Sequence, residues 1–339
     1  MSSDITIAVD AMGGDFGPSE IIPAIKYSVE KHEQLNIILV GKENLILEQL
    51  KKNNIKNNNR INISHASEII GMDESPSQAL RNKKESSMRI AIELVRDGNA
   101  KACVSAGNTG ALMATSRFIL KMLPGMDRPA ICTTLPGKKD DTHILDLGAN
   151  VDSSSEQLFQ FAIMGAQLTS AVKNKDNPTI ALLNIGEEEI KGNDRVKQAA
   201  KLLEESHLNY VGYIEADKLY SGDVDVIVCD GFVGNVAIKA SEGVADFLLY
   251  HVKKEFKSNL YSKFAALIAI PVLKSLRYKI DPKQYNGASL LGLRGIVVKS
   301  HGGAKRISFA RAIDEAIIEI KNNIPEKINK KLEQLIINR

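Results

Sequence analysis

Short apolar runs alternate with helically spaced stretches over residues 5–240 of this 339-residue chain. The runs at 5–9 and 226–228 are rich in β-branched residues and that at 102–104 is wholly apolar, which is typical of strands buried on both faces of a parallel sheet. The stretches between such runs place apolar residues three and four positions apart, which indicates amphipathic helices. This alternation predicts an α/β protein with a parallel-rich open sheet flanked by helices.

Five of the predicted strands end in a polar turn that contains glycine. Ligands of open parallel sheets bind outside the carboxyl ends of the strands, so the five turns together predict one substantial ligand site. The residues of these turns that we predict to bind the ligand are Asp10, Gly13, Gly14, Ser105, Gly107, Asn108, Thr109, Asp146, Gly148, Asn150, Asn184, Gly186, Gly231, Gly234 and Asn235.

The turn after 226–228 has the most specific pattern. Gly231 and Gly234 let the backbone approach a ligand closely, and the following helix directs its N-terminal amides at whatever binds there. Phosphate is an anion that such helix N-termini commonly bind, and Lys239 adds a positive charge about one turn further along. A tight strand–helix connection that binds nothing is the alternative for this turn taken alone.

Residues 243–283 have helical spacing and predict a helical hairpin inserted after the site. Between 251 and 283, eight Lys or Arg residues stand against two acidic residues, and the apolar run at 264–273 is too short to span a bilayer. An apolar face flanked by lysines suits a membrane surface, an acidic partner protein or a second subunit. The rest of the chain, within 1–339, is predicted to form a single α/β unit or two lobes.

Composition restricts the function further. The net charge is only +3 and tryptophan is absent, which argues against nucleic acid as a partner. The three cysteines form no C-x-x-C motif, and no secretory leader is evident, which favours a cytoplasmic protein. The fingerprints of nucleotide-binding loops and zinc sites are missing from the sequence, so neither a nucleotide cofactor nor a metal is predicted.

Two kinds of residue allow more than one interpretation. Cys103, Cys132 and Cys229 lie in or at the ends of apolar strands, where a buried structural thiol is expected. Cys103 and Cys229 are also close to the predicted site, so a nucleophilic role stays open. His301 precedes Gly302-Gly303 and is either a loop histidine or an acid–base group of the site.

Six segments in this order resemble the PlsX family, the acyl-acyl-carrier-protein:phosphate acyltransferases of bacterial phospholipid synthesis. They are DAMGGD (10–15), SAGNTGA (105–111), LGAN (147–150), NIGEEEIKG (184–192), GFVGNVAIK (231–239) and NGASLLGLRGIVVKSHG (286–302). The resemblance spans about residues 5–320. It implies an isocitrate/isopropylmalate dehydrogenase-like fold, a homodimer without metal or nucleotide cofactor, and a hairpin implicated in membrane association. Ser289 stands where the family more usually has proline, a difference that bears on the local backbone.

The resemblance also implies the reaction: a fatty acyl group passes from acyl carrier protein to inorganic phosphate, giving acyl phosphate and free carrier. We expect the amides of 107–109 and 231–235 to hold phosphate while the site stabilises the developing oxyanion. A downstream glycerol-phosphate acyltransferase and the membrane surface are further expected partners, with the enzyme peripherally associated with the membrane. The residues expected to take catalytic roles are Lys191 for charge, Asn235 or Asn150 for the oxyanion, Asp10 and Asp146 for orientation, and His301.

Three alternatives stay open. A phosphotransacetylase-like enzyme would use acyl-CoA and need no surface for a carrier protein. A hydroxyacid dehydrogenase of the isocitrate type would need a metal-binding carboxylate cluster and a nucleotide loop, which the sequence does not supply. A non-catalytic membrane-surface scaffold would explain the hairpin but leave the five polar turns without a ligand.

Overall fold

Within residues 4–55, 59–280 and 286–337, which a computed structural model describes, eleven strands form one sheet. The strands are β1 (Ile5–Asp10), β2 (Leu35–Gly41), β3 (Ile61–His65), β4 (Ala102–Ser105), β5 (Ala130–Leu135), β6 (Thr142–Leu145), β7 (Ile180–Leu183), β8 (Tyr210–Ile214), β9 (Val226–Val228), β10 (Ala288–Leu291) and β11 (Ile296–Lys299). Most are buried on both faces, as their apolar runs predict.

Helices connect most of the strands and cover both faces of the sheet. In the described ranges they are α1 (Pro18–Lys31), α2 (Glu43–Lys52), α3 (Pro76–Asn82), α4 (Ser87–Arg96), α5 (Thr109–Leu120), α6 (Ser155–Lys173), α7 (Asp194–Glu204), α8 (Gly231–Lys257), α9 (Leu260–Ile280), α10 (Arg306–Asn322) and α11 (Ile324–Ile337). Several begin at a side chain that accepts a hydrogen bond from the first turn, such as Asn108, Ser154 and Asp230.

The strands run in two directions, and this corrects the prediction of a single ligand edge. Their order is β3-β2-β1-β4-β11-β10-β5-β6-β9-β7-β8. Strands β3, β2, β1, β4 and β11 are parallel, β10 is antiparallel to β11 and β5, and β5 is antiparallel to β6. The other strands, β9, β7 and β8, continue parallel to β6.

The carboxyl ends of β1, β4 and β11 therefore lie at one end of the sheet, which we call the Asp10 end. Those of β6, β7 and β9 lie at the opposite end, which we call the Asp146 end. A four-residue strand is about 13 Å long, so polar turns at the two ends do not meet directly. The turns at Asp10 and Ser105 belong to the first end, and those at Asp146, Asn184 and Asp230 to the second.

Two hydrophobic clusters lie on each face of the sheet. On the back face, α1, α2 and α10 cover the half around β1, while α6, α7 and α11 cover the half around β9. On the front face, α3, α4 and α5 cover the first half. There the second half is covered by the start of α8, through Ala237 and Ile238.

The part of the front face that lies between α5 and α8 is called the front cleft below. Helix α5 packs on β11 and α8 packs on β6, so β10 and β5 lie between the two helices. Leu147, in the loop after β6, contacts the clusters on both sides, and Thr133 in β5 keeps part of its surface exposed.

The predicted hairpin is formed by the second half of α8 together with α9, while residues 281–283 lie outside the described ranges. Helix α8 is continuous from the turn at Asp230, so the hairpin is an extension of the helix that borders the front cleft. Many of its large apolar side chains are exposed, among them Phe247, Phe264 and Ile268. Among the described residues, no helix is both long and apolar enough to cross a membrane.

Candidate active site

Asp10 organises the first end of the sheet. Its carboxylate is buried and accepts hydrogen bonds from Ser87 Oγ and Ser105 Oγ, both at 2.6 Å, and from the amide of Met12 at 3.2 Å. Burial raises the pKa of Asp10, and these hydrogen bonds oppose that shift. The side chain thus connects the ends of β1 and β4 to the start of α4.

Three loops approach one another closely around Asp10. A Cβ added to Gly13 would lie 2.6 Å from the amide nitrogen of Gly107, and one added to Gly14 would lie 2.8 Å from the carbonyl oxygen of Gly302. Gly14 also has a φ of 82°, which side chains disfavour. These glycines serve loop packing, and a larger side chain at either position would separate the loops.

The start of α5 uses most of its polar groups internally. The amide of Gly107 donates to Ser105 Oγ at 3.0 Å, and Asn108 Oδ1 caps the helix by accepting from Ala111 N at 3.0 Å. Asn108 Nδ2 donates to two backbone carbonyls of the preceding segment, at 2.8 and 3.0 Å. Thr109 is exposed, and its amide has no hydrogen-bond partner among the described residues.

Lys299 is a charged residue of this end that the sequence reasoning missed. It closes β11 beside Ser105 and is only 8% exposed. Its ammonium donates to the carbonyl oxygens of Ala106, at 3.1 Å, and of Ser300. Burial lowers the pKa of Lys299 to about 8. A lysine at the end of the apolar run Ile296–Lys299 is the one signal that the sequence offered for it.

His301 lies at the same end, and the charge of Lys239 acts on it. The His301 Nδ1 accepts from the amide of Gly303 at 3.1 Å, so the neutral ring carries its proton on Nε2. Burial, followed by the positive charges of Lys239 and Lys299, lowers the pKa of His301. Lys239, which forms an ion pair with Glu242 at 2.8 Å, therefore acts here, although its helix begins at the Asp146 end.

At the opposite end, Asp146 organises the loop that follows β6. Its buried carboxylate accepts from the amides of Ile131 (2.9 Å), Ala149 (3.1 Å) and Asn150 (2.7 Å), and from Asn150 Nδ2 at 3.0 Å. Asn150 Nδ2 also donates to the carbonyl of Pro129 at 2.8 Å. Burial raises the pKa of Asp146. Because both N–H groups of Asn150 Nδ2 already donate within the protein, Asn150 is poorly placed to bind an oxyanion.

The first turn of α8 is also satisfied within the protein. Gly231 N donates to Asn150 O at 2.8 Å, Val233 N to Asp230 Oδ1 at 2.9 Å, and Gly234 N to Asp230 O at 2.9 Å. The phosphate cradle predicted for 231–235 therefore has few free amides. Close packing accounts for the glycine at the start of α8, because a Cβ on Gly231 would lie 2.8 Å from Asp146 Oδ2.

Asn235 is the predicted catalytic residue of α8 that remains available. It is exposed, and its amide group has no hydrogen-bond partner among the described residues. It borders Gly148, whose φ is 113° and whose added Cβ would lie 3.7 Å from Asn235 Cβ. Asn235 and Lys239 are four residues apart on one helix, hence on one face about 6 Å apart.

Lys191 lies in the separate loop after β7. Asn184 closes this loop by donating from Nδ2 to the carbonyls of Gly186 (3.1 Å) and Lys191 (3.2 Å). The Lys191 ammonium is largely exposed and pairs with Glu188 at 2.9 Å. The hydrogen bond with Glu188 raises the pKa of Lys191. No contact joins Lys191 to Asn235 or Lys239 among the described residues.

The cysteines are buried, as expected for structural thiols. Burial raises the pKa values of Cys103, Cys132 and Cys229, so all three stay protonated and are poor nucleophiles near neutral pH. Among the residues that the structure describes, no group of His, Cys, Asp and Glu side chains could hold a metal ion.

Comparison with known proteins assigns the family. A family model described as "Fatty acid synthesis protein" matches residues 5–327. The chain is 54% identical over 327 residues to a phosphate acyltransferase of Methylococcus capsulatus, covering 96% of each chain. It is 57% identical over 334 residues to a phosphate acyltransferase of Legionella pneumophila strain Corby, covering 98% of each.

Solved structures confirm the predicted α/β architecture. A phosphotransacetylase from Streptococcus pyogenes superposes with a TM-score of 0.65 at 16% identity, covering 94% of both chains. The EutD phosphotransacetylase from Staphylococcus aureus gives a TM-score of 0.60, also at 16% identity and with 94% of both chains covered. At 16% identity these structures establish only the fold. The family is established by the sequence matches along nearly the whole chain. The chain belongs to the PlsX family of phosphate acyltransferases and is an acyltransferase.

Proposed function

We propose that this enzyme transfers a fatty acyl group from acyl carrier protein to inorganic phosphate, releasing acyl phosphate and the free carrier thiol for phospholipid synthesis. The observation that carries the proposal is the match to named phosphate acyltransferases along nearly the whole chain. The carrier protein as donor and acyl phosphate as product are the parts that go beyond those names.

The chemistry fits a site without an enzyme nucleophile. An oxygen of phosphate attacks the thioester carbonyl, the tetrahedral intermediate collapses, the C–S bond breaks, and the carrier leaves as a thiolate that takes up a proton. Phosphate is already partly dianionic near neutral pH, so the protein has to hold it against the carbonyl and stabilise the oxyanion. The buried, protonated cysteines support direct transfer without an acyl-cysteine intermediate.

The front cleft is where we place this reaction. Asn235 offers a free amide donor to the thioester oxygen, and Lys239 lies one turn further along α8 toward His301. Next to Asn235, α8 exposes Phe232 and Val236, which suit contact with an acyl chain. In this arrangement Asp10 and Asp146 shape the two ends of the cleft, and Lys191 adds positive charge at its rim.

The hairpin is the proposed surface for larger partners. Exposed lysines, including Lys253, Lys257 and Lys263, suit the acidic surface of a carrier protein. The exposed apolar side chains between them suit a second subunit or a membrane surface, where a downstream glycerol-phosphate acyltransferase would take up the product. A charged substitution such as Phe264→Glu should reduce binding to anionic vesicles while acyl transfer persists. Unchanged vesicle binding would remove the apolar side chains of the hairpin from membrane contact.

The test is phosphate-dependent release of free thiol from acyl carrier protein, run beside acyl-CoA. Release from the carrier, with hydroxylamine trapping the activated product, is the expected outcome. Release from acyl-CoA alone would favour the phosphotransacetylase-like alternative. No release from either donor would contradict both.

A further inference from the structure

Lys299 is a buried cation at the Asp10 end whose charge no ion pair neutralises among the described residues. Its ammonium has three N–H donors, and the two recorded partners are the neutral carbonyl oxygens of Ala106 and Ser300. An ammonium loses several kcal/mol of hydration on burial unless an anion compensates, which makes an uncompensated buried lysine unusual. Such a site is built for an anion that arrives from solution.

The neighbouring carboxylates do not fill this role. Asp10 and Asp15 act on the charge of Lys299, but neither forms an ion pair with it. Both carboxylate oxygens of Asp10 already accept hydrogen bonds, from Ser87 and Met12 on one and from Ser105 on the other. The third donor of Lys299 is thus left for a ligand.

The loop that leads into α5 contacts this ammonium. Ala106, which accepts from Lys299, is three residues before Thr109, the first residue of this 12-residue helix. Thr109 is exposed and its amide is free of partners in the described part of the chain. The positive end of the helix dipole and a free amide favour an anion at this point.

The other predicted phosphate-binding point, the start of α8, lacks these properties. Its Gly231, Val233 and Gly234 amides are satisfied by Asn150 and Asp230. The charges of Lys239 and Lys299 both lower the pKa of His301, so the electrostatic potential at the Asp10 end is positive.

We propose that Lys299 and the first amide of α5 bind the inorganic phosphate that attacks the acyl donor. This inference rests on the proposed function and places its nucleophile, inorganic phosphate, at the Asp10 end of the sheet. Asn235, one helical turn before Lys239 on α8, then acts as the donor to the thioester oxygen. Lys299 is a substrate-binding residue in this arrangement, and Ser105 and Asp10 position the loop that it contacts.

The experiment is equilibrium binding of inorganic phosphate to the full-length protein by calorimetry, without an acyl donor. Lys299→Met keeps the length of the side chain, removes its charge and is compatible with burial, so we expect a folded protein. A hydrogen bond from a charged group is worth about 1.5–3 kcal/mol, which corresponds to phosphate affinity lower by about 10- to 150-fold. Lys330→Met, an exposed lysine on α11, is the control and should bind phosphate as the wild type does.

Kinetics separate binding from a general structural effect. Lys299→Met should raise KM for phosphate and leave KM for the acyl donor unchanged. If Lys299→Met bound phosphate within about twofold of the wild-type affinity, the inference would be overturned. Phosphate-dependent acyl transfer by Lys299→Met would still support the proposed function. A wild-type protein that neither binds nor uses phosphate would overturn both.

A second variant tests the helix amide without touching Lys299. Thr109→Pro removes the free N–H at the first helical position, which tolerates proline, and Asn108 already has the extended ψ of 121° that precedes proline. Thr109→Ala, which keeps the amide, is its control. Phosphate should bind to Thr109→Pro about fivefold more weakly than to Thr109→Ala, and equal affinities would exclude this amide from the site.

Discussion

The hydroxyl of Ser105 donates a 2.6 Å hydrogen bond to Oδ2 of Asp10 and accepts one from the amide of Gly107 at 3.0 Å. It thus connects the end of β1 to the turn that begins α5. Both side chains are buried, so water cannot replace either bond. This hydroxyl group therefore helps to position the turn at 106–108, together with the bonds made by Lys299 and Asn108.

Ser105→Ala should destabilise the protein and weaken catalysis together. Two buried groups lose their partner, which costs about 1–3 kcal/mol of unfolding free energy. The loop is also less well positioned, so KM for phosphate should rise. Ser116→Ala is the matched control, because Ser116 is a buried serine whose hydroxyl has no partner among the described residues. Urea unfolding that gives equal stabilities for the two variants would contradict this role of Ser105.

Asp146→Asn should destabilise the loop at 147–150. The carboxylate accepts four hydrogen bonds from N–H groups, and an amide would turn one acceptor into a donor that faces other donors. We expect a loss of about 2–4 kcal/mol in unfolding free energy, measured in urea.

Asp230→Asn provides the comparison at the same end of the sheet. Asp230 caps α8 through a single bond to Val233 N, and asparagine caps helices equally well. This variant should unfold like the wild type. If the two variants were equally stable, the network around Asp146 would contribute little.

Asn235→Ala should lower kcat with little effect on stability. Asn235 is exposed and unpartnered in the described structure, so its removal costs no internal hydrogen bond. Loss of one donor to an oxyanion typically reduces kcat about 100- to 1,000-fold. Ser241→Ala, on the same helix, removes a hydroxyl that only bonds to Ala237 O and should keep full activity. Wild-type kcat in Asn235→Ala would exclude Asn235 from the reaction.

Glu319 gives the stability of the protein a distinct pH dependence. It is buried on α10 and hydrogen bonded to Ser289 of β10. Burial, and then the charge of Glu315, raises the pKa of Glu319 to about 8, above its ordinary value of 4.5. Its protonated form favours folding, so the contribution of Glu319 to stability is fully present below pH 4.5 and is lost as the pH rises toward about 8.

Glu319→Gln should reduce this dependence, and the part that remains comes from Glu315, whose pKa burial raises to about 7. At pH 8 the variant should be more stable than the wild type by on the order of 2–4 kcal/mol, and the difference should vanish near pH 4.5. Glu326→Gln, an exposed change on α11, should follow the wild type at every pH. Parallel urea-unfolding curves for Glu319→Gln and wild type between pH 5 and 8 would show that Glu319 does not carry the effect.

The strands and helices themselves could be predicted from local pattern. The run Val226–Val228 and the helix after it lie where their apolar spacing places them, because buried strands and helix starts have strong local signals. Pairing of β5 with β6 also followed from the Pro136-Gly137-Lys138 turn. The six-segment resemblance identified the family correctly, and the phosphate acyltransferase matches confirm it.

The division of the polar turns between two ends could not be predicted strand by strand. It follows from β10 and β6 running against their neighbours, which is a property of the whole sheet. Lys299 was missed for a related reason. Its burial depends on loops around Gly14, Ala106 and Gly302 that are remote in sequence, whereas a lysine at a strand end is ordinarily solvated.

The central claim is that phosphate itself attacks the acyl thioester. The most direct measurement incubates the enzyme with acyl carrier protein and ¹⁸O-labelled phosphate and analyses the product by mass spectrometry. Attack by phosphate predicts acyl phosphate that retains every labelled oxygen, because only the C–S bond breaks. Unlabelled free fatty acid as the sole product, formed at a rate independent of phosphate, would contradict the claim and indicate a thioesterase.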